Sequence, residues 1–88
     1  MKMIVAIIEN NLSEKVSKAL ISEGFRLTRL ASTGGFLREG ATTLMVGVED
    51  EELENALGII RQQTPSTGEA GKIHATIYVL NVTNFQRI

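Results

Sequence analysis

FRLTRLASTGGFLREGATTLMVGV, residues 25–48 of an 88-residue chain, contains two extended runs, Phe25–Ser32 and Thr42–Val48. They are joined by a connection that carries Gly34, Gly35 and Gly40, with Phe36 and Arg38 between them. In the second run Thr42, Leu44, Val46 and Val48 share one face, and Thr43, Met45 and Gly47 the other, as period-two strand residues do. Gly47 inside such a strand marks a bulge or a place where another group comes close. Glycine is also tolerated where the backbone needs positive φ. Paired glycines beside Phe36, flanked by Arg26 and Arg38, offer a flat apolar surface next to amide and guanidinium donors. Those are the parts that hold a base and a phosphate.

On the amino-terminal side, Lys2–Glu9 (KMIVAIIE) is rich in Ile and Val and predicts a first strand. Met3, Val5 and Ile7 fall on one side, Ile4, Ala6 and Ile8 on the other, so this strand is expected to be covered on both faces. Asn11–Gly24 predicts a helix. Asn11 caps its first turn, Glu14 completes a capping box, and Gly24 suits a left-handed stop. Leu12, Val16, Ala19, Leu20 and Glu23 fall at helical spacing along the inner stripe, with Ser13, Lys15, Ser17 and Lys18 outward.

On the carboxyl-terminal side, Asp50 is expected to cap a second helix, with Glu51 and Glu52 in its positive first turn. Leu53, Ala56, Leu57 and Ile60 form its inner stripe. Gln62–Lys72 (QQTPSTGEAGK) carries the one proline and two glycines and reads as a loop. Ile73–Val82 predicts the last strand, with Ile73, Ala75, Ile77 and Val79 against Tyr78, Leu80 and Val82. The tail TNFQRI keeps Phe85 and Ile88, which are expected to dock.

The order β-α-β-β-α-β is the ferredoxin-like plan, an α+β fold with a four-stranded antiparallel sheet and two helices on one face. One domain is expected to span residues 1–88. The first and fourth strands are apolar on both sides, yet no helix remains for the second face. Another copy of the chain is therefore expected to cover it.

The totals remove several function classes. The chain has no cysteine, hence no disulfide, thiolate nucleophile or Cys-based metal site. Nine basic against ten acidic residues leave a net charge of -1, which argues against nonspecific binding of nucleic-acid polymers. The run Met3–Ile8 is far short of the ~20 residues of a membrane span, and it opens into polar sequence without a cleavage site. A cytoplasmic protein without membrane insertion is expected. His74 lacks neighbouring thiols and reads as structural. The cluster Glu49, Asp50, Glu51, Glu52 and Glu54 lacks the spacing of a calcium loop. Ser32 and Thr33 have no base nearby in sequence, so the expectation is no catalytic set, no metal and no enzyme.

The residues Leu30, Ala31, Thr33, Gly34, Gly35, Phe36, Leu37, Arg38, Gly40, Thr42 and Thr43 match a long glycine-aromatic hallmark. With the opening MKMIVAII, the Phe25-Arg26-x-Thr28 run and the closing ATIYVLNVTNFQ, they make the chain resemble the PII-like cyclic di-AMP receptor family. That resemblance implies a ferredoxin-like homotrimer that acts in signal transduction, with nucleotide sites between adjacent subunits. It implies that adenine stacks on Phe36 and that Arg26 and Thr28 contact the ligand. It further implies that the backbone at Gly35, Phe36 and Leu37 donates to it, that Gly47 permits close approach, and that Tyr78 supplies an aromatic wall. Ala41 stands at a ligand position where the family usually has Asn, Gly24 where it often has Asn, and Arg87 where it has Gln. The Gln62–Lys72 loop is shorter than the family's. Two functions remain open on these residues. One is a cyclic di-AMP or related adenine-nucleotide sensor that signals to an unidentified protein partner, with no separate cofactor. The other is a homotrimeric scaffold of the same fold that has lost cyclic di-AMP binding, with Phe36 in trimer packing. A third reading, RNA recognition on the same plan, needs aromatics on the central strands, and the third strand shows Thr, Leu, Met and Val.

Overall fold

The structure is a computed structural model that describes residues 1–30, 40–64 and 75–83. The elements follow in the order β1 (Lys2–Glu9), α1 (Asn10–Ser22), β2 (Leu27–Leu30), β3 (Ala41–Val48), a 3-10 turn (Asp50–Glu52), α2 (Leu53–Gln63) and β4 (Ala75–Asn81). All four strands form one antiparallel sheet in the order β2-β3-β1-β4. This is the ferredoxin-like arrangement that the alternation of strands and helices predicts.

β1 lies in the middle because its run of Ile, Val and Met is apolar on both faces. Ile4, Ala6 and Ile8 are fully buried beneath the helices, against Val16 and Leu20 of α1 and Ala56 and Ile60 of α2. From β3, Leu44, Val46 and Val48 join the same core, as the alternation indicates. Met3, Val5, Ile7, Met45 and Gly47 point to the other face and are only half-buried. Among the described residues no helix covers that face. Leu30, Tyr78 and Leu80 remain 43%, 54% and 52% exposed, so the sheet's outer face is apolar and open.

Local chemistry shifts several expected boundaries. α1 begins at Asn10, before Asn11, and has no side-chain cap at its start. Asn10 is held from β3 instead: its N–H donates to the Gly40 carbonyl at 2.9 Å, and its Oδ1 accepts from Thr42 Oγ1 at 2.6 Å. Gly24 does end the helix, with φ +89°, a backbone conformation that favours glycine. The inner stripe of α1 is rotated from the expected one. Ser13 and Ser17 are buried and Glu23 is exposed. The serines tolerate burial because their hydroxyls are satisfied: Ser17 donates to the Ser13 carbonyl at 2.8 Å and Ser13 to the Asn10 carbonyl at 3.0 Å. Arg29, from β2, donates through Nη2 to Ser13 Oγ at 3.0 Å.

β2 starts at Leu27, not at the expected Phe25, and of the expected run Ala31 and Ser32 lie outside the described residues. Phe25 lies before it and packs in the core at 8% exposure. The capping box sits at Glu49, not Asp50, and belongs to the 3-10 turn that leads into α2; α2 itself starts after Glu52 without a side-chain cap. Glu49 N–H donates to Glu52 Oε1 at 3.3 Å, whereas the Asp50 carboxylate is engaged by the amino terminus at 3.1 Å. Ile59 joins Ala56, Leu57 and Ile60 on the buried side of α2, and Leu53 is only partly buried. α2 runs on through Gln62 and Gln63, which were expected in the loop. It stops at Thr64, whose extended φ of −107° and ψ of 131° is the conformation that the following Pro65 enforces. β4 is described from Ala75, and the expected start at Ile73 lies outside the described residues, as do Phe85 and Ile88.

Candidate functional site

The strand register places Thr28, Met45 and Gly47 on the helix-free face. Thr28 of β2 pairs with Met45 of β3, Met45 with Val5 of β1, and Val5 with Tyr78 of β4, so the four side chains form one row across the sheet. In the adjacent row Gly47 pairs with Met3, and Met3 with Leu80. A groove of about 890 Å³ opens at the β2-β3 end of these rows. Its walls include Arg26, Thr28, Met3, Met45 and Gly47, together with Met1, Ile21, Phe25 and Leu27. Phe25 and Leu27 reach it from the core side of β2, and Ile21 from the last turn of α1.

Each wall has a local cause. Arg26 follows the left-handed Gly24, where the chain leaves α1 and turns into β2. Thr28 and Met45 are opposed because β2 and β3 pair antiparallel over Leu27–Leu30. Gly47 leaves a gap in β3 between them and Met3. A Cβ there would meet the Met1 Cε at 3.6 Å, an ordinary van der Waals contact, and the pairing through Gly47 is regular, with no bulge. Met1 is fixed by its ammonium on Asp50 Oδ1 at 3.1 Å and by its carbonyl, which accepts from Val82 N–H at 3.0 Å. The ammonium's hydrogen bond and charge hold the Asp50 carboxyl below the usual carboxylate range; a small desolvation opposes them, and Lys2 adds a minor lowering. Nearby, Lys2 Nζ donates to Asn81 Oδ1 and links β1 to β4.

The groove thus combines a guanidinium and a hydroxyl with polarizable thioether surface. Such a lining suits an anionic ligand that also carries a flat apolar ring. Of the residues anticipated for ligand contact, the fold brings Arg26, Thr28 and Gly47 together. It does not bring Tyr78 to them: Tyr78 lies three strands from Thr28, about 14 Å at ordinary strand spacing. Ala41 does not line the groove either. It begins β3 opposite Glu9 and is 2% exposed. Gly35, Phe36 and Leu37 lie outside the described residues, with Gly34, Arg38 and His74. The three methionines were not anticipated as walls, although two of them, Met3 and Met45, fall on the outer face by strand alternation alone. Among the described residues no group of three or more His, Asp or Glu side chains converges to hold a metal. No described helix is long and apolar enough to cross a membrane.

A crystal structure of a functionally unknown protein from Pediococcus pentosaceus ATCC 25745 is similar over 99% of this chain and 96% of that one, with a TM-score of 0.79 at 34% sequence identity. Residues 1–70 match the family model described as cyclic-di-AMP receptor. The hallmark around the paired glycines falls inside that match, and so do β1 to β3 and the groove between them. The chain belongs to the cyclic-di-AMP receptor family.

Proposed function

We propose that this protein is a PII-like signalling protein, not an enzyme, that binds cyclic di-AMP or a related adenine nucleotide where copies of a homotrimer meet. The observation that carries this reading is the groove beside Gly47, with Arg26 and Thr28 on its wall, in a chain of the cyclic-di-AMP receptor family. Arg26 supplies the charge for a phosphate, Thr28 a hydroxyl, and Gly47 the room for a ring. The glycine-aromatic connection at Gly35, Phe36 and Leu37 supplies backbone donors and a stacking surface. Tyr78, remote from its own groove, serves a neighbouring copy. The apolar outer face, with Met3, Val5, Met45, Tyr78 and Leu80, is the surface those copies share, since apolar area of this kind is rarely left to water. Ligand that binds one loop arrangement better than another shifts the population toward it and alters what a protein partner meets.

Isothermal calorimetry with cyclic di-AMP, cyclic di-GMP, ATP and ADP tests the ligand, and sedimentation velocity tests the trimer. Heat with cyclic di-AMP that is lost in Arg26→Ala is expected. Absence of heat with every adenine nucleotide rejects the sensor reading.

A second reading is a trimeric scaffold without nucleotide binding. It is favoured by Ala41, a buried side chain with no polar group at a position where the resemblance implies an Asn contact. A stable trimer that gives no heat with any of the four nucleotides is the result that selects it.

A further inference from the structure

A second groove, of about 420 Å³, lies between α1 and α2. One wall is the carboxyl-terminal end of α1, with Ala19 and Glu23. The other is a stripe of α2, Glu54, Gly58 and Gln62, whose spacing puts them on one side of the helix. Two of these residues work against the helices that carry them. Gly58 stands in the interior of α2, where glycine is less favourable than alanine. Its φ is not positive, and among the described residues a Cβ there would meet nothing within 4 Å. Neither backbone conformation nor packing within the chain calls for glycine. Glu23 is the C-cap residue of α1, at the negative end of the helix dipole, where a cation is favoured. No basic residue occupies the last turn of that helix. Neither Glu23 nor Glu54 meets a cation among the described residues, and Lys18 is paired with Glu14 at 3.3 Å. Local rules broken without a gain inside the fold mark places where a chain meets something else.

We propose that the groove between α1 and α2 is a docking site for a short segment of another protein that presents a Lys or Arg side chain. The cation meets the carboxylates of Glu23 and Glu54 and the carbonyl end of α1. The bare backbone at Gly58 lets the main chain of the segment come close, and the amides of Asn55 and Gln62 offer it hydrogen bonds. The occupant is a different protein because a second copy is better served by the apolar outer face of the sheet, which shares no residue with this polar groove. The inference goes beyond nucleotide binding and does not depend on it.

The test reads stability and binding on the full chain. The thermal midpoint of Gly58→Ala is expected to rise by a few degrees, since alanine suits the helix and touches nothing. That of Glu23→Gln is expected to hold or rise. Random peptides displayed on phage and selected on the wild-type protein are expected to be enriched in Lys and Arg. Binding of the selected peptides should fall at least about tenfold in Gly58→Leu, which fills the groove. In Glu23→Gln it should fall by up to about fivefold, the scale of an exposed ion pair. A lower midpoint in Gly58→Ala shows that the fold itself needs the glycine and overturns the inference. So does a selection that returns no binders, binders without basic residues, or binders indifferent to Gly58→Leu.

Discussion

The two faces of this sheet are made by the same strands and have opposite duties. On one, Ile4, Ala6, Ile8, Leu44, Val46 and Val48 lie at 0–2% exposure beneath two helices. On the other, Met3, Val5, Ile7, Met45 and Gly47 are half-buried with no described helix above them. Both faces of β1 are apolar, so hydrophobicity alone does not separate them. Residue character does. The covered face uses branched aliphatic side chains, which fill space in few rotamers. The open face sets Val5 and Ile7 among methionine, threonine and glycine beside an arginine, and these last line a groove and adapt to what enters it. Stability is concentrated on the first face, and the proposed nucleotide recognition falls on the second.

The largest expected effect comes from cutting matched side chains on β1. Ile4→Ala is expected to cost about 2–5 kcal/mol, because Ile4 is fully buried and its removal leaves a cavity. Ile7→Ala, on the open face, is expected to cost less than about 1.5 kcal/mol in a dissociated chain. Urea denaturation at several protein concentrations checks the contrast. Equal losses that do not vary with concentration break it, whereas a concentration-dependent loss at Ile7 shows that copies cover that face.

Next in size is the separation of binding from folding. Arg26→Ala and Thr28→Ala remove exposed side chains, so the unfolding midpoint should barely move. Loss of the Arg26 contact should weaken cyclic di-AMP binding by about tenfold or more, the scale of a hydrogen bond to a charged group. Calorimetry beside thermal unfolding reads both quantities from the same samples.

Smaller still is the polar stitch between helix and sheet. Ser13→Ala removes a buried hydroxyl that accepts from Arg29 and donates to the Asn10 carbonyl, at an expected cost of about 1 kcal/mol. A double-mutant cycle with Arg29→Ala should return a coupling energy above the error of the two single variants.

The smallest effect is one of pH. The folded Asp50 carboxyl lies below its ordinary value, chiefly because it accepts a hydrogen bond from the terminal ammonium. The contact is therefore complete above the ordinary carboxyl pKa and fades as pH falls through the lowered folded value. The Met1 methyl resonance should follow that titration, with a midpoint below 3.8. A midpoint at or above that value shows that the ion pair does not form in solution.

Much of this division could be read before any coordinates. Alternation along Thr42–Val48 and the two apolar sides of Lys2–Glu9 fixed the strands, their facing and the open surface, because period two is a property of local backbone. The rotated stripe of α1 could not be read. Ser13 and Ser17 look outward by polarity, and only the arrival of Arg29 from β2, with bonds to preceding carbonyls, makes their burial tolerable. The cap at Glu49 was hidden for a related reason, since Asp50 is drawn off by a terminus far away in sequence. At the site, Arg26 and Thr28 were accessible from the Phe25-Arg26-x-Thr28 run of the resemblance, and Gly47 from its place in a strand pattern. Met1 was not, because its place depends on Asp50 and Val82, both distant along the chain.

The central position of β1 has a consequence for how the molecule is made. Lys2 lies opposite Asn81 and Ile8 opposite Ala75, so β1, which is made before β4, finds its second neighbour only when β4 has followed. Until then β1 can pair with β3 alone, and its backbone donors and acceptors on the other edge stay open beside an Ile- and Val-rich run. Unpaired edges of that kind invite pairing with other chains. A nascent chain stalled short of residue 75 should therefore be the most aggregation-prone species this gene product passes through.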